Sequence, residues 1–371
     1  MMAHICHLTV LNPAIHTRIF YKLALSQKEM GHRVSIIGQD NSPESCKKSE
    51  IHIYPIKPFH RLSWKRLWSQ IRILRIALKL KADIYTLHTP ELLMLGLWIK
   101  WKTGAKLVYD VHEDYQANIR NAAHYSRWLK RSLANMVRRM ENWLVKKVDA
   151  VVYAEDVYDG MFDLPTEKKY FLRNKFTRRS TEGTASIEVP NQPYMLYTGT
   201  LAKAWGVMET LKIWEKMNVV RPIFLVMAGF THNENLLKEI KEIVENSELK
   251  DRFLLVGGRE YVPYADIIAL IANCEFGTAL YEVTPNIKGK IPTKFYEYMA
   301  FNKPLIYTDD SAWNEFNGKY ALGFSWSSDS SVEEILGKMD SWNRNPLFHQ
   351  KEDFSWESEE KELGRMLGNL V

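Results

Sequence analysis

The sequence predicts an α/β protein built from two doubly wound units, and three observations carry that expectation. At 371 residues the chain is too long for one ordinary core. Short apolar runs of strand character alternate with longer amphipathic stretches of helical period. The alternation breaks at 174–193, a polar, turn-rich stretch with Arg178, Arg179, Gly183 and two prolines, and then starts afresh.

The elements follow in order. Residues 4–11 (HICHLTVL) form a first strand, and 12–17 a loop into a helix over 18–30. That helix stops at Gly31, a good residue for the left-handed turn beyond a helix end, with His32 after it. Residues 33–38 (RVSIIG) return as a strand, completing a βαβ unit. Strands at 52–55, 82–87, 106–111 and 150–154 alternate with helices at 63–81, 91–102 and 126–147. Tyr170, Phe171 and Leu172 close the first half. The second half runs strand 194–197, loop 198–205, helix 206–216, strand 224–228, helix 233–245, strand 253–256, helix 264–272 and strand 276–280. A short helix carrying Lys294 and Glu297 follows, then the turn at Pro304 and a buried strand to Thr308.

Composition narrows the class. A hydrophobic content of 46% and a mean hydropathy of −0.30 describe a globular protein. Residues 1–11 lack the charged head and long apolar body of a signal peptide. The longest apolar run, 92–99, is well short of the roughly 20 residues that span a bilayer. Cys6, Cys46 and Cys274 are scattered without metal-ligand spacing, so neither a disulfide framework nor a zinc site is expected, and a cytoplasmic setting is. The net charge of +6 hides an asymmetry. Through Ser180 there are 31 Lys and Arg against 16 Asp and Glu, and beyond it 19 against 28. A first half this basic expects an anionic partner. Helix 126–147 carries Arg127, Lys130, Arg131, Arg138, Arg139, Lys146 and Lys147, with Leu129, Leu133, Met136, Met140, Trp143 and Leu144 as its core stripe. The stretch 61–81 mixes Trp64, Leu67, Trp68, Ile71, Leu74 and Leu78 with seven basic residues, Arg61 first. Tryptophan with arginine suits the headgroup region of an anionic membrane, so peripheral docking on the inner face of the plasma membrane is expected. No helix-turn-helix, zinc or OB pattern points to nucleic acid.

Four stretches carry candidate chemistry. His112, Asp110, Glu113 and Asp114 crowd just past a buried strand, where doubly wound folds keep their sites. His112 would act as a proton donor, and one of the acids would orient it or take a proton. Arg18 opens a helix, where the dipole disfavours a cation, so a role facing a cleft is expected. Gly199 and Gly206 bracket a loop holding Thr200, Lys203 and Trp205 before a helix whose free amides suit an anion. Lys294 and Glu297, three apart, share a helical face near a helix start. There is no GxGxxG after the first strand, which excludes the dinucleotide fingerprint of a dehydrogenase. On topology alone, two-domain sugar phosphatases and periplasmic binding proteins remain open.

Over nearly its whole length the chain resembles the retaining GT-B glycosyltransferases of the group 1, family 4-like superfamily. The segments that carry the resemblance are 12–20 with Gly31-His32, 108–115 (VYDVHEDY), 196–207, 256–262, 292–308 and the closing 354–357. It implies two Rossmann-like domains facing a central cleft: 1–173 on the acceptor side, 174–354 for the donor, and a helix at 355–371 packing back on the first. It implies His16 and Arg18 near the acceptor and cleft, His112, Asp110 and Glu113 as catalytic, and Lys203, Lys290 and Lys294 on the donor diphosphate with Gly199 and Thr200. Arg259 and Tyr261 would lie by the nucleobase and Glu297 on the ribose. The chain departs from the pattern in three places. Thr200 and Trp205 stand where the family carries cations, and Gly289 stands where it carries the first of two glutamates. The function implied is metal-independent, cofactor-free transfer of a sugar from a nucleotide-sugar to a glycan or lipid-linked acceptor in cell-envelope or exopolysaccharide biosynthesis. A nucleotide-sugar epimerase of the same fold and a catalytically inactive nucleotide-sugar binding protein are the alternatives.

Overall fold

The computed structural model describes residues 2–39, 50–59, 63–121, 127–181, 185–285, 287–327, 329–344 and 354–371. Cys46, Arg61, Ser126, Gly183 and Asn286 lie outside the described residues. The chain divides into two compact units, Met1–Arg179 with Trp356–Val371, and Ser180–Ser355.

The first unit is a parallel seven-stranded sheet. Strands β1 (His4–Pro13), β2 (Arg33–Gln39), β3 (His52–Ile56), β4 (Ile84–Leu87), β5 (Lys106–Val111), β6 (Ala150–Tyr153) and β7 (Lys169–Phe171) lie in the order β3-β2-β1-β4-β5-β6-β7. The strand order reverses at β1, so the crevice at the carboxyl ends of β1 and β4 is the switch point of this sheet. Between β1 and β2 the chain is π-helical over Thr17–Ala24 and continues as α1 (Leu25–Glu29). A single α-helix was expected there; the wider π turn recurs at functional sites. Helices α2 (Lys65–Leu80), α3 (Leu92–Thr103) and α5 (Arg127–Leu144) cover one face of the sheet, and α4 (Tyr115–Asn121) is an additional helix after β5.

The interior of that face corrects the expected core stripe of α5. Ala134, Glu141 and Leu144 are buried, whereas Leu129, Met136 and Trp143 form an exposed row one heptad apart. Leu144 of the expected stripe is buried and Leu133 and Met140 are partly so, and the buried side also takes Ala134 and Glu141 in place of Leu129, Met136 and Trp143. In α2 the same holds: Ser69, Ile73 and Ala77 are buried, and Trp64, Leu67, Trp68 and Ile71 are exposed.

The second unit is a parallel six-stranded sheet of β8 (Tyr194–Thr200), β9 (Phe224–Phe230), β10 (Phe253–Gly258), β11 (Phe276–Ala279), β12 (Leu305–Thr308) and β13 (Gly323–Trp326), ordered β10-β9-β8-β11-β12-β13. Its switch point lies between β8 and β11. Helices α6 (Val207–Val220), α7 (Glu234–Glu245), α8 (Tyr264–Asn273), α9 (Thr293–Ala300), α10 (Ser311–Tyr320) and α11 (Val332–Arg344) connect and cover it.

A terminal helix, α12 (Glu360–Leu370), returns to the first unit. Trp356, Leu363, Met366 and Leu367 bury against Ile5, Ile84, Val108 and Val152, on the opposite face of the sheet from α2 and α3. Burying four such side chains stabilises the docking by roughly 6–12 kcal/mol before ordering costs. Trp356 donates its indole N–H to Ser26 Oγ at 2.8 Å, and Arg179 pairs with Glu360 at 2.6 Å and with Glu29. Arg18 reaches Asn174 Oδ1 at 2.8 Å, so 174–179 belongs with the first unit rather than with the second.

Candidate functional site

Each sheet gathers candidate residues at its carboxyl edge. In the first unit, β5 carries Asp110 one residue before its end and delivers His112 one residue beyond it, while β4 delivers His88 at the same relative place as His112. Asp110 is fully buried and its oxygens are taken. Arg18 Nε lies 3.0 Å from both, Arg18 Nη2 reaches Oδ1 at 2.6 Å, and His88 Nδ1 donates to Oδ2 at 2.9 Å. Burial alone would raise this carboxyl, but the Arg18 guanidinium with His112 and His88 outweighs it and holds Asp110 well below the usual range. Of the two roles expected of the acids here, orienting His112 or taking a proton, the geometry of Asp110 suits the first: it is an anion that orients its neighbours. The expectation for Arg18 is corrected. It is 2% exposed and does not face open space, because Asp110 and the carbonyl of Leu172 (2.8 Å) offset the dipole and desolvation costs of burying it.

His112 is the reachable member of the group. Its Nδ1 stands 3.4 Å from Asp110 Oδ2 and its Nε2 3.2 Å from Asn12 Nδ2. An amide N–H can only donate, so Nε2 accepts and the ring proton sits on Nδ1, toward Asp110. His16, half-buried, stacks at 6.2 Å from His112, and its ring is pushed down to about 3 by burial and by His112. Glu113 is exposed and accepts from Asn118 Nδ2 at 2.9 Å, at the solvent side of the group. Asp114 caps α4 through the Ala117 amide and binds Arg138, a structural duty.

Sequence reasoning missed the second half of this network. His7, in the middle of β1, bonds His88 Nε2 at 2.9 Å through Nδ1 and Gln27 at 2.7 Å through Nε2. Both rings are buried and burial holds both below the ordinary histidine range, His7 at about 3. The signal for His88 was present, a histidine immediately past a buried strand as His112 is. His7 reads in sequence as a polar interruption of an apolar strand.

His88, Asp110 and His112 are the one group among the described residues with ligand atoms close enough to share a cation, within 4.8 Å of one another. The donor set fits poorly. Both nitrogens of His88 are bonded, and a cation on Asp110 would have to displace Arg18.

In the second unit the loop after β8 and the loop after β11 close on each other. Gly206 has φ +80°, and a Cβ there would stand 2.0 Å from the carbonyl oxygen of Leu280. The Glu282 amide donates to the Ala204 carbonyl at 2.9 Å, and Trp205 meets Tyr281 edge-on at 5.1 Å. Gly199, at φ +102°, lets its carbonyl sit where a Cβ on Gly229 would lie, 1.8 Å away. Thr200 is exposed at the strand end.

Lys294 lies beneath this clamp. It is 7% exposed, donates from Nζ to the Thr278 carbonyl at 3.2 Å, and stands over the rings of Tyr197 at 4.8 Å and Tyr281 at 5.3 Å. Burial pulls its ammonium down to about 7, against the attraction of Glu297. Glu297, half-buried on the same helix, accepts from Tyr264 Oη at 2.7 Å. Lys290 is half-buried and its carbonyl accepts from Trp313 Nε1 at 2.8 Å, pinning the loop around Gly289 (φ +78°). Lys203 and Arg259 are not gathered here: their ion pairs run to Glu239 and Glu234 on α7, at 2.8 and 3.3 Å. Tyr261 is 77% exposed and stacks on Phe230 at 4.1 Å. Thr278, Tyr281 and Tyr264, which with Tyr197 frame Lys294 and Glu297, carried no motif in the sequence.

Comparison with known proteins agrees with this two-part layout. Residues 17–155 match the model of Glycosyltransferase Family 4, and 181–361 match that of Glycosyl transferases group 1. No curated protein matches the sequence significantly. Among solved structures the chain is similar to sucrose-phosphate synthase from Thermosynechococcus elongatus, with a TM-score of 0.70, 14% identity and 99% of each chain covered. It is similar to Anabaena HepE in complex with UDP-glucose, with a TM-score of 0.64, 14% identity and 99% of each chain covered. It is also similar to the catalytic domain of starch synthase IV from Arabidopsis thaliana, with a TM-score of 0.65, 11% identity and 100% of each chain covered. At such identities these are likenesses of fold. Two doubly wound units, the first matched over 17–155 and the second over 181–361 by those two models, place the chain among the group 1, family 4-like glycosyltransferases of the GT-B fold.

Proposed function

We propose that the protein transfers a sugar from a nucleotide-sugar donor to a glycan or lipid-linked acceptor of the cell envelope or an exopolysaccharide, with retention of anomeric configuration and without a catalytic metal. The observation that carries the reading is Lys294, a buried lysine standing over the rings of Tyr197 and Tyr281, the latter next to Leu280, whose carbonyl meets Gly206 at the start of α6. A buried cation of this kind, next to free helix amides, suits a diphosphate. Glu297 would take the ribose hydroxyls, and Arg259 and Tyr261 the base. In the first unit, His112 Nε2 would give up the Asn12 amide to accept from a sugar hydroxyl instead of donating as the sequence suggests, with Asp110 beside its Nδ1 and His16 next to the ring. UDP-glucose bound to the Anabaena neighbour favours a uridine nucleotide as the first donor to try. The basic helices of the first unit suit an acceptor held at the inner face of an anionic membrane.

The test is donor binding and turnover by wild type, Lys294→Ala and Glu297→Gln. A panel of UDP-, GDP-, ADP- and CMP-sugars is ranked first by the rise each gives in thermal stability. Both variants are expected to lose the shift given by the preferred donor and to lose transfer. Unchanged transfer in both variants would reject the assignment.

A further inference from the structure

The first unit carries an exposed surface that the donor chemistry does not use. Helices α2, α3 and α5 lie side by side on one face of its sheet, and their outer sides are studded with large apolar groups. Trp64 and Trp68 stand out from α2, Trp98 and Trp101 from α3, and Met136 and Trp143 from α5. Trp64 is 81% exposed, Trp101 72% and Trp143 61%. Exposed tryptophan at this density is unusual on a surface that meets water alone.

The charge on the same helices is almost all of one sign. They hold five, two and five Lys or Arg residues respectively, and one acid, Glu141; of the cations, Arg66, Lys100 and Arg138 are paired with Glu91, Asp149 and Asp114 beside the helices. Glu141 is buried, bonded to Tyr109 Oη at 2.8 Å, and contributes nothing to the outer face. Lysines lie directly on the tryptophans: Lys102 Nζ is 4.2 Å from the Trp101 ring and Lys147 Nζ 3.6 Å from the Trp143 ring. None of the described helices is long and apolar enough to cross a membrane.

We propose that this three-helix face docks the protein onto the surface of an anionic lipid bilayer, with the tryptophans at the level of the acyl-chain boundary and the lysines and arginines on the lipid phosphates. Rings backed by ammonium groups match that boundary, which is apolar below and anionic above. A nucleic acid would meet the cations but leave the aliphatic Met136 and Ile71 without a role. The inference deepens the lipid-linked acceptor in the reading above and rests on it for its purpose, though the docking itself needs no donor.

The experiment is co-sedimentation of the full chain with vesicles of phosphatidylcholine alone and of phosphatidylcholine mixed with phosphatidylglycerol, at low and high salt. Binding is expected to the mixed vesicles, weakened by salt. Trp64, Trp68 and Trp101 replaced together by alanine are expected to lower the partition coefficient at least tenfold. Arg72, Arg75 and Lys79 replaced together by glutamate are expected to lower it about a hundredfold or more. Since all six side chains are exposed or at the helix surface, unchanged thermal unfolding confirms that the variants fold. Tryptophan emission is expected to shift to the blue with the mixed vesicles in wild type. No binding to mixed vesicles at low salt overturns the proposal, and so does binding that the alanine variant retains in full. Self-association in solution that the alanine variant abolishes, without vesicle binding, assigns the face to a second copy and also overturns it. Donor-induced thermal shift in the absence of lipid reports on the transferase reading separately, so failure of one is not failure of the other.

Discussion

The ammonium of Lys294 makes the sharpest prediction available, because its burial has opposite consequences for stability and for binding. In the folded chain burial brings it to about 7, against 10.5 when unfolded. The unfolded state therefore binds more protons between those values, and stability rises with pH across the window and is lower below it. At pH 7 the cost of holding Lys294 in place is about 4 kcal/mol. Replacing it by methionine removes that cost, but orphans the Thr278 carbonyl, which returns roughly 1–2 kcal/mol. The net expectation for Lys294→Met is a second unit more stable by about 2–3 kcal/mol, read as a rise of roughly 5–10 °C in its calorimetric transition. Binding runs the other way. A diphosphate beside Nζ needs the ammonium, so above pH 7 the donor must bring in a proton. Between pH 6 and pH 8 the donor affinity of wild type is expected to fall about tenfold, as a group of pKa about 7 requires. Isothermal titration in buffers of different ionisation heat will show proton uptake of about half a proton at pH 7. In Lys294→Met the residual affinity should be flat over the same range. A lower melting temperature in the methionine variant, or a wild-type affinity that ignores pH, would refute the reasoning.

Three further outcomes follow from the geometry. Arg18→Met strands Asp110 as a buried, uncompensated anion and is expected to destabilise the first unit by about 3–5 kcal/mol in urea unfolding, whereas Arg18→Met with Asp110→Asn recovers most of that loss. His7 and His16 are held neutral near 3 by burial, so below their unfolded value of 6.5 the unfolded state gains protons the native state cannot. Stability of the first unit should fall by roughly 4 kcal/mol between pH 7 and pH 5, measured by denaturant titration, and His7→Phe should remove about half of that slope. Gly206→Ala puts a Cβ on the Leu280 carbonyl at a left-handed φ and is expected to weaken donor-induced thermal shift well beyond tenfold in donor concentration, while distant Gly318→Ala, which has open space around it, changes nothing.

Much of the fold was legible in the sequence because it is written locally. Apolar runs of strand length, glycine stops such as Gly31, and the break before Tyr194 each depend on neighbours a few residues away. The returning helix was legible only through the resemblance of 354–357 to the closing segment of the family. What was not legible depends on partners far along the chain. Arg18 meets Asp110 across 92 residues and His7 meets His88 across 81, and no spacing rule reports such encounters. The exposed row of α5 shows a second limit. Period tells which residues share a face, but where leucine, methionine and tryptophan occur on more than one face it does not tell which is buried. Here Ala134, Leu144 and the hydrogen-bonded Glu141 went inward, while Leu129, Met136 and Trp143 stayed out.

The departures from the family pattern acquire a consequence once the second unit is in view. Thr200 is exposed, Trp205 packs edge-on against Tyr281, and Lys203 is drawn off to Glu239. The loop that carries cations in relatives of the usual pattern is held in this chain by a backbone hydrogen bond, a glycine contact and an aromatic pair. Order in the loop is thereby kept without charge, and in the proposed reading the neutralising of a diphosphate would fall to Lys294. A lysine that is half protonated at neutral pH is a conditional cation, unlike an arginine, which is always charged. Placing an arginine at position 200 or 205 should therefore do more than strengthen binding: it should blunt the dependence of donor affinity on pH, because a fixed charge would then share the work of a titrating one.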